Sequence, residues 1–338
     1  MKQRDEKILL AHGSGGRLSH LLVKDIVKKF ANPFLEKLDD SAVLDFKKGS
    51  KFAFTTDGYV VDPPFFPGGD IGSLAVFGTV NDLAMVGAKP RCLAASAVLE
   101  EGFPAGDFER IILSMKKAAA RTGVVIVTGD TKVVDKGKVD RIFITTSGIG
   151  IVEKGINISS SNVRPGDRII RSGAIGEHGI AVLTAREKFG IKTGVRSDCA
   201  PLNWLVARMT GVSTNIHALR DPTRGGLATT LCEIAEKSSV GMEIEESAIP
   251  VKKEVRVLCE MLGFDPLYIA NEGKLVAFVP EKDAASVLRA MRGVREGASS
   301  RIIGAVVAEH RRTVLLKTKI GGNRVIDMLS GEQLPRIC

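Results

Sequence analysis

The sequence predicts an α/β (α+β) protein of two domains with a short C-terminal arm, and three observations lead there. Its 338 residues are too many for one small core and fit two domains of roughly 150 residues each, with a remainder. Helix-type and strand-type runs mix in both halves of the chain. A cluster rich in Ser, Asn, Pro and Gly, SSSNVRPGD at 159–167, reads as the loop between the halves.

In the first half a helix is expected over Leu18–Phe30, then a strand at Ala53–Thr56. The stretch IGSLAVFGTVNDLAMVGA reads as a helix that is apolar or small almost all round, which means burial on every side. Phe108, Ile111, Ile112, Met115 and Ala119 give Phe108–Ala120 the stripe of an amphipathic helix. Strands follow at Val124–Thr128 and Arg141–Thr146. The second half offers a strand at Arg168–Arg171, helices at Ile180–Phe189 and Leu227–Lys237, and a strand at Lys274–Val279. The closing IGGNRVIDMLSGEQLPRIC shows little periodicity and reads as a flexible tail. The resulting division is 1–160, 161–315 and a tail 316–338.

Composition limits the function classes. At 44% hydrophobic and 26% charged, the chain is neither disordered, collagen-like nor a disulfide scaffold. Cys92, Cys199, Cys232, Cys259 and Cys338 are too scattered for a C-x-x-C pair, so a reducing, cytoplasmic setting is expected. The charged N-terminus lacks an apolar core and no long apolar run occurs, so neither export nor a membrane span is expected. Of the net charge of +9, residues 1–160 hold +3 (22 basic, 19 acidic) and residues 311–338 hold +4 (six basic, two acidic). A basic tail without interleaved aromatics points to partner proteins more than to nucleic acid.

The chemistry begins with carboxylates: Asp39 and Asp40 in LDDSAVL, Asp57 in FTTDGY, Asp82 in TVNDLAM and Asp130 in IVTGDTK. Singly, an Asp at a strand end is most often a turn former or cap. Asp82 is different, because a carboxylate on an all-apolar helix needs a cation or hydrogen-bond partner. Several Asp without Cys or His at ligand spacing suit a hard cation such as Mg²⁺ shared with phosphate oxygens. HGSGG (His12–Gly16) and TRGGLATT (Thr223–Thr230) each precede a helix and aim free N–H groups at an anion, although turns use the same residues. A P-loop is excluded, because Gly137-Lys138 is followed by Val139 and Gly273-Lys274 by Leu275. Gly173, Gly176 and Gly179 miss the G-x-G-x-x-G spacing, and His178 among them reads as a surface or loop histidine.

NEGK (Asn271–Lys274) lies between the apolar runs LYIA and LVAFV. It reads as a hairpin turn with Gly273 at positive φ, a turn that still presents Glu272 as a base. Cys338 is the last residue of the sequence. It is not a prenylation signal, which needs Cys four from the end. A thiol on a flexible arm suits the carriage of a covalent group between sites, and 20 extended residues reach at most about 65–70 Å.

These motifs, from HGSGGR through DDSAVL, TTDGYVV, GTVNDLAMVGAKP, GDTKVV, SGAIGEHGIAVL, DPTRGGLATTL and NEGK to PRIC, resemble the HypE family of hydrogenase maturation proteins. That family lies in the superfamily of aminoimidazole ribonucleotide synthetase (PurM), selenophosphate synthetase and thiamine-monophosphate kinase. The resemblance implies a PurM-like fold whose N-terminal, ferredoxin-like domain forms a homodimer, with an ATP–Mg²⁺ site near that interface. It implies that Cys338 accepts a carbamoyl group from the carbamoyltransferase HypF. ATP-dependent dehydration then yields a thiocyanate, whose nitrile passes to iron on the HypC and HypD scaffold. Carried over by motif, Asp40, Asp57, Asp82 and Asp130 would bind Mg²⁺ and triphosphate. Asn81 and the backbones of Gly13, Gly15, Gly16, Gly225 and Gly226 would support the nucleotide, with Arg224 and His178 as weaker candidates. Glu272 would be the base, and Lys132 would polarise the carbamoyl or phosphate group.

Two other readings stay open. A selenophosphate synthetase would call for Cys in the N-terminal Gly-rich loop, yet the first Cys is Cys92; a small-molecule kinase or purine synthetase has no use for a Cys-ending tail. A non-catalytic delivery protein would need none of the dense Asp and Gly placement.

Overall fold

A computed structural model describes residues 16–18, 20–21, 24, 42–46, 50–186, 190, 193–329, 334 and 336–338. Gly13, Gly15, Asp39, Asp40 and most of the helix expected over Leu18–Phe30 lie outside these residues.

The N-terminal domain is built on a five-stranded sheet ordered β1-β2-β7-β5-β6. Its strands are β1 (Ala42–Phe46), β2 (Ser50–Tyr59), β5 (Ala88–Glu100), β6 (Val125–Val134) and β7 (Ile142–Val152), with a small β3–β4 pair at Phe65–Phe66 and Gly69–Asp70. Only β5 and β6 run parallel; the other neighbours are antiparallel. Helix α1 (Ile71–Met85) is buried at every position except Asp82, as its apolar sequence demands, and packs against α2 (Ala105–Thr122) and the sheet. Its start is fixed by a capping box in which Asp70 accepts from Ser73 N at 2.9 Å and Asp70 N donates to Ser73 Oγ at 3.0 Å. Among the described residues nothing covers the other sheet face, where Phe54, Val125 and Ile149 lie exposed.

The C-terminal domain carries a seven-stranded sheet ordered β14-β13-β10-β12-β8-β11-β9. The strands are β8 (Asp167–Arg171), β9 (Ala218–Arg220), β10 (Gly241–Glu245), β11 (Val276–Pro280), β12 (Arg301–Val307), β13 (Val314–Lys317) and β14 (Asn323–Ile326). Helices α3 (Glu177–Thr184), α4 (Asn203–Thr210), α5 (Gly226–Ser238), α6 (Lys253–Leu262) and α7 (Glu281–Arg292) complete it. A shared core joins the domains, with Leu83, Met85 and Val152 from the first packed in one cluster with Leu205, Leu219 and Val279 from the second.

Two sequence expectations are corrected here. Residues 316–338 are not a free arm throughout, because Asn323–Ile326 pair with β13 as the edge strand β14. Only Ile326 of that strand is buried, so no periodicity betrayed it. NEGK is not a hairpin: β11, which follows it, pairs with β8 and β9, not with the apolar run before it. Gly273 has no positive φ; a Cβ there would lie 1.9 Å from the Asp198 carbonyl oxygen, so close backbone approach is what requires glycine.

Candidate active site

The end of β2, one polar position of α1 and three C-terminal-domain loops converge on the last residues of the chain. Each loop is held by side chains that are otherwise fully engaged. Asn271 is completely buried. Its Oδ1 accepts from Arg171 Nη2 at 2.9 Å and Gly176 N at 3.0 Å, and its Nδ2 donates to Pro222 O at 3.1 Å and Ile269 O at 2.9 Å. One amide therefore pins the 171–176, 222 and 269–271 segments together. Asn81, expected to support a nucleotide, is similarly occupied: Nδ2 donates to Ala200 O at 3.1 Å and Glu272 O at 3.4 Å, and Oδ1 accepts from Leu202 N at 2.8 Å. Its contacts tie α1 to the backbone that positions Glu272.

Glu272 itself is 3% exposed. Its N–H donates to Asp198 Oδ1 at 3.0 Å, while Oε1 is buried without a hydrogen-bond partner. Burial, then the charges of Asp221, Asp198 and Asp57, push its carboxyl well above the ordinary range against the pull of Arg224. Asp57 is raised by burial, with Arg224 opposing. Burial also lifts Asp221 to about 6, with Arg220 opposing. Asp82 accepts from Thr55 Oγ1 at 3.1 Å, the partner its helix position called for. In the TRGG turn, Gly225 (φ 77°) and Gly226 (φ 62°) take left-handed backbone and lead directly into α5.

Cys338 enters this group of charges. Val60 N donates to Cys338 O and Asp62 N to Arg336 O, both at 3.1 Å, so the arm runs alongside the chain just after β2. Cys338 is half-buried; burial pushes its thiol to about 12, against Arg224 and with Glu272, Asp57 and Asp221 adding to the rise. In return, the Cys338 charge is the leading cause that raises the exposed Arg224. His178 is not a surface histidine. It is fully buried, with Nδ1 2.7 Å from Ser197 Oγ and Nε2 2.8 Å from Ile337 O. A carbonyl only accepts, so the Nε2–H tautomer donates to Ile337 O and Nδ1 accepts from Ser197.

Asp130 and Lys132 stand apart. Both are exposed on β6 and pair with each other at 3.0 Å; Lys132 lowers Asp130 through that hydrogen bond. Gly16 is also separate, close to Leu329. Residues that motif reading missed are Asp198, Asp221, Arg171 and Ser197. Asp221 was within reach, since it opens DPTRGG; Asp198 and Ser197 lie in a loop with no pattern of their own.

Residues 38–152 match the AIR synthase related protein N-terminal domain and 164–317 its C-terminal domain, so fold and cleft define an AIR synthase related protein. Carbamoyl dehydratase HypE of Cupriavidus necator is 54% identical over 333 residues, covering 98% of this chain and 95% of that protein. A HypE–HypF complex structure matches at 46% identity and TM-score 0.87, covering 91% of this chain and 99% of that one. HypE in complex with ATP matches at 47% identity and TM-score 0.82, covering 98% and 100%. Within that class, the chain belongs to the HypE family. No helix among the described residues is long and apolar enough to cross a membrane.

Proposed function

We propose that this chain is an ATP-dependent carbamoyl dehydratase that converts S-carbamoyl-Cys338 to a thiocyanate during NiFe hydrogenase maturation. The observation that carries the reading is the docking of Cys338 at the end of β2, its O accepting from Val60 N at 3.1 Å while His178 holds Ile337 O, which brings its thiol within the field of Arg224, Glu272, Asp57 and Asp221. A group carried on that sulfur enters a site with a cation, a buried carboxyl and an acidic wall. The names of the C. necator relative and of the two solved structures agree with it.

An amide oxygen is a poor leaving group, and phosphorylation makes it a good one. The carbamoyl oxygen attacks the γ-phosphorus, ADP leaves, and a nitrogen proton is lost to give a C=N–H group. Departure of the phosphate with the carbamoyl oxygen and loss of the second nitrogen proton leave S–C≡N. The balance is S-carbamoyl-cysteine plus ATP to thiocyanate, ADP, phosphate and a proton. Arg224 stabilises the charge that grows on the transferred group. Glu272, with its unpartnered Oε1 and raised carboxyl, is a strong base once ionised and takes the nitrogen proton.

Carboxylate oxygens fit a hard cation, yet no three His, Cys, Asp or Glu among the described residues could hold a metal. Phosphate and water oxygens therefore complete the shell. Asp57 and Asp82 would hold Mg²⁺, with Asp40 as a further ligand and Asp130, paired with Lys132 on β6, outside this set in the single chain; bound Mg²⁺ would neutralise charge on the phosphates. Gly13, Gly15, Gly16, Gly225 and Gly226 supply backbone N–H groups for the nucleotide, and Lys132 polarises the carbamoyl or phosphate oxygen. The uncovered sheet face is the homodimer surface, and β6, carrying Lys132, belongs to that sheet. HypF loads Cys338, and the HypC and HypD scaffold receives the nitrile, in the cytoplasm. Intact-mass measurement with HypF, carbamoyl phosphate, Mg²⁺ and ATP tests the reading. A carbamoyl adduct followed by loss of one water, both absent without Cys338, supports it; water loss that persists without Cys338 ends it.

A further inference from the structure

Arg336 holds an unusual position in the arm. Its φ is +53°, the left-handed region that a non-glycine residue occupies at a cost. Glycine would take this backbone more readily, so the arginine side chain must supply something glycine lacks. It makes three contacts: Nε donates to Val60 O at 3.0 Å, Nη1 pairs with Asp140, and the guanidinium lies 6.0 Å from the Phe143 ring centroid. The kink turns Ile337 into the N-terminal-domain core, where it is 4% exposed.

The backbone is held as well, because the carbonyls of three consecutive arm residues each accept a bond. Arg336 O accepts from Asp62 N and Arg186 Nη2, both at 3.1 Å. Ile337 O accepts from His178 at 2.8 Å and Cys338 O from Val60 N at 3.1 Å. Arg186 also donates to Asp62 O at 2.9 Å, bracing the receiving segment just after β2. Backbone contacts of this kind accept any sequence. The side chains of Arg336 and Ile337 make the dock selective for this arm. Asp140, with its side chain 59% exposed, is the outermost of these contacts.

We infer that Arg336, gripped by Asp140, Val60 O and Phe143, is the positioning residue that latches the arm and seats Cys338 for dehydration. The latch is not needed when the thiol is loaded by a partner outside the site. This rests on the reading that Cys338 carries the substrate, and it divides the two halves of the cycle. Latched, the sulfur is held beside Arg224 and Glu272; unlatched, it is free to meet a carbamoyl donor. Breaking the latch must therefore slow water loss without slowing loading.

The test uses full-length protein with Asp140→Asn, Arg336→Gln and Arg336→Lys, and Asp135→Asn as a control on the same exposed loop. Carbamoyl loading and ATP-dependent water loss are timed separately by intact mass, and Cys338 alkylation by iodoacetamide reports seating. Asp140→Asn should slow water loss roughly threefold, the scale of an exposed ion pair. Arg336→Gln should slow it about tenfold or more, with Arg336→Lys between them. Loading should keep its rate, alkylation should speed up in the same order, and the KM for ATP should stay constant. Asp140→Asn leaves every arm residue intact, so a change there cannot arise from altered recognition of the arm by the loading enzyme. Water loss and alkylation at wild-type rates in Arg336→Gln would overturn the latch. Failure of the wild-type protein itself to lose water would instead overturn the functional reading beneath it.

Discussion

Adjacent residues in NEGK are predicted to respond to substitution with opposite signs. Asn271→Ala removes an amide that makes four hydrogen bonds and strands the Gly176 N–H, the Ile269 carbonyl and an Arg171 N–H in the interior, while Pro222 O keeps its bond from the backbone N–H of residue 271. At about 1 kcal/mol net per bond, and more for each buried group left unpaired, the loss is on the order of 3–5 kcal/mol. For a protein of this size that lowers the thermal midpoint by roughly 4–7 °C. Glu272→Gln keeps shape and volume but removes a carboxyl whose ionised form is disfavoured by burial and three acidic neighbours. A carboxyl raised above its unfolded value costs nothing below that value and costs progressively more as pH rises. The Gln variant should therefore unfold at a higher temperature than wild type at pH 8, with the gain vanishing near pH 4. Its dehydration rate should fall by about two orders of magnitude or more. Scanning calorimetry of both variants at the two pH values, beside a single-turnover water-loss assay, reads all of this. An Asn271→Ala with an unchanged midpoint, or a Glu272→Gln whose gain over wild type is no larger at pH 8 than at pH 4, would refute the division of the motif into one structural and one chemical residue.

Three further outcomes follow from the same geometry. Asp221→Asn should stabilise the unliganded protein as pH rises through about 6, by on the order of 2–3 kcal/mol at pH 8 and by nothing at pH 3, read from urea midpoints. Gly273→Ala should cost about 3 kcal/mol or more, because its Cβ would meet the Asp198 carbonyl at 1.9 Å; an unchanged midpoint would contradict the close-approach argument. Chelation of divalent cations should stop ADP formation and Mg²⁺ should restore it, whereas turnover in excess chelator would show that Asp57 and Asp82 do not serve a metal.

Much of the architecture was legible because burial leaves a period or a composition behind. Ile71–Met85 is apolar on every side and is buried on every side but Asp82. Of the Phe108 stripe, Ile111, Met115 and Ala119 are buried on α2, whereas Ile112 is exposed. In the site, Asp57, Glu272 and Cys338 stood out by residue type and were brought together by the fold. What escaped depends on contacts between distant segments. Apolar runs on both sides of NEGK look like a hairpin, and nothing local reveals that β11 pairs with β8 and β9. His178 reads as a loop residue until the arm places Ile337 O on its Nε2. Asn81 looks like a ligand-binding amide, yet its partners are backbone groups up to 191 residues away.

The central claim is that ATP removes the oxygen of a carbamoyl group carried on Cys338, and the fate of that oxygen tests it most directly. Loading Cys338 with a carbamoyl group labelled with heavy oxygen and following one turnover by mass spectrometry should show the label in inorganic phosphate as the protein loses the mass of one labelled water. Label recovered in bulk water, or retained on Cys338 while ADP accumulates, would contradict the account.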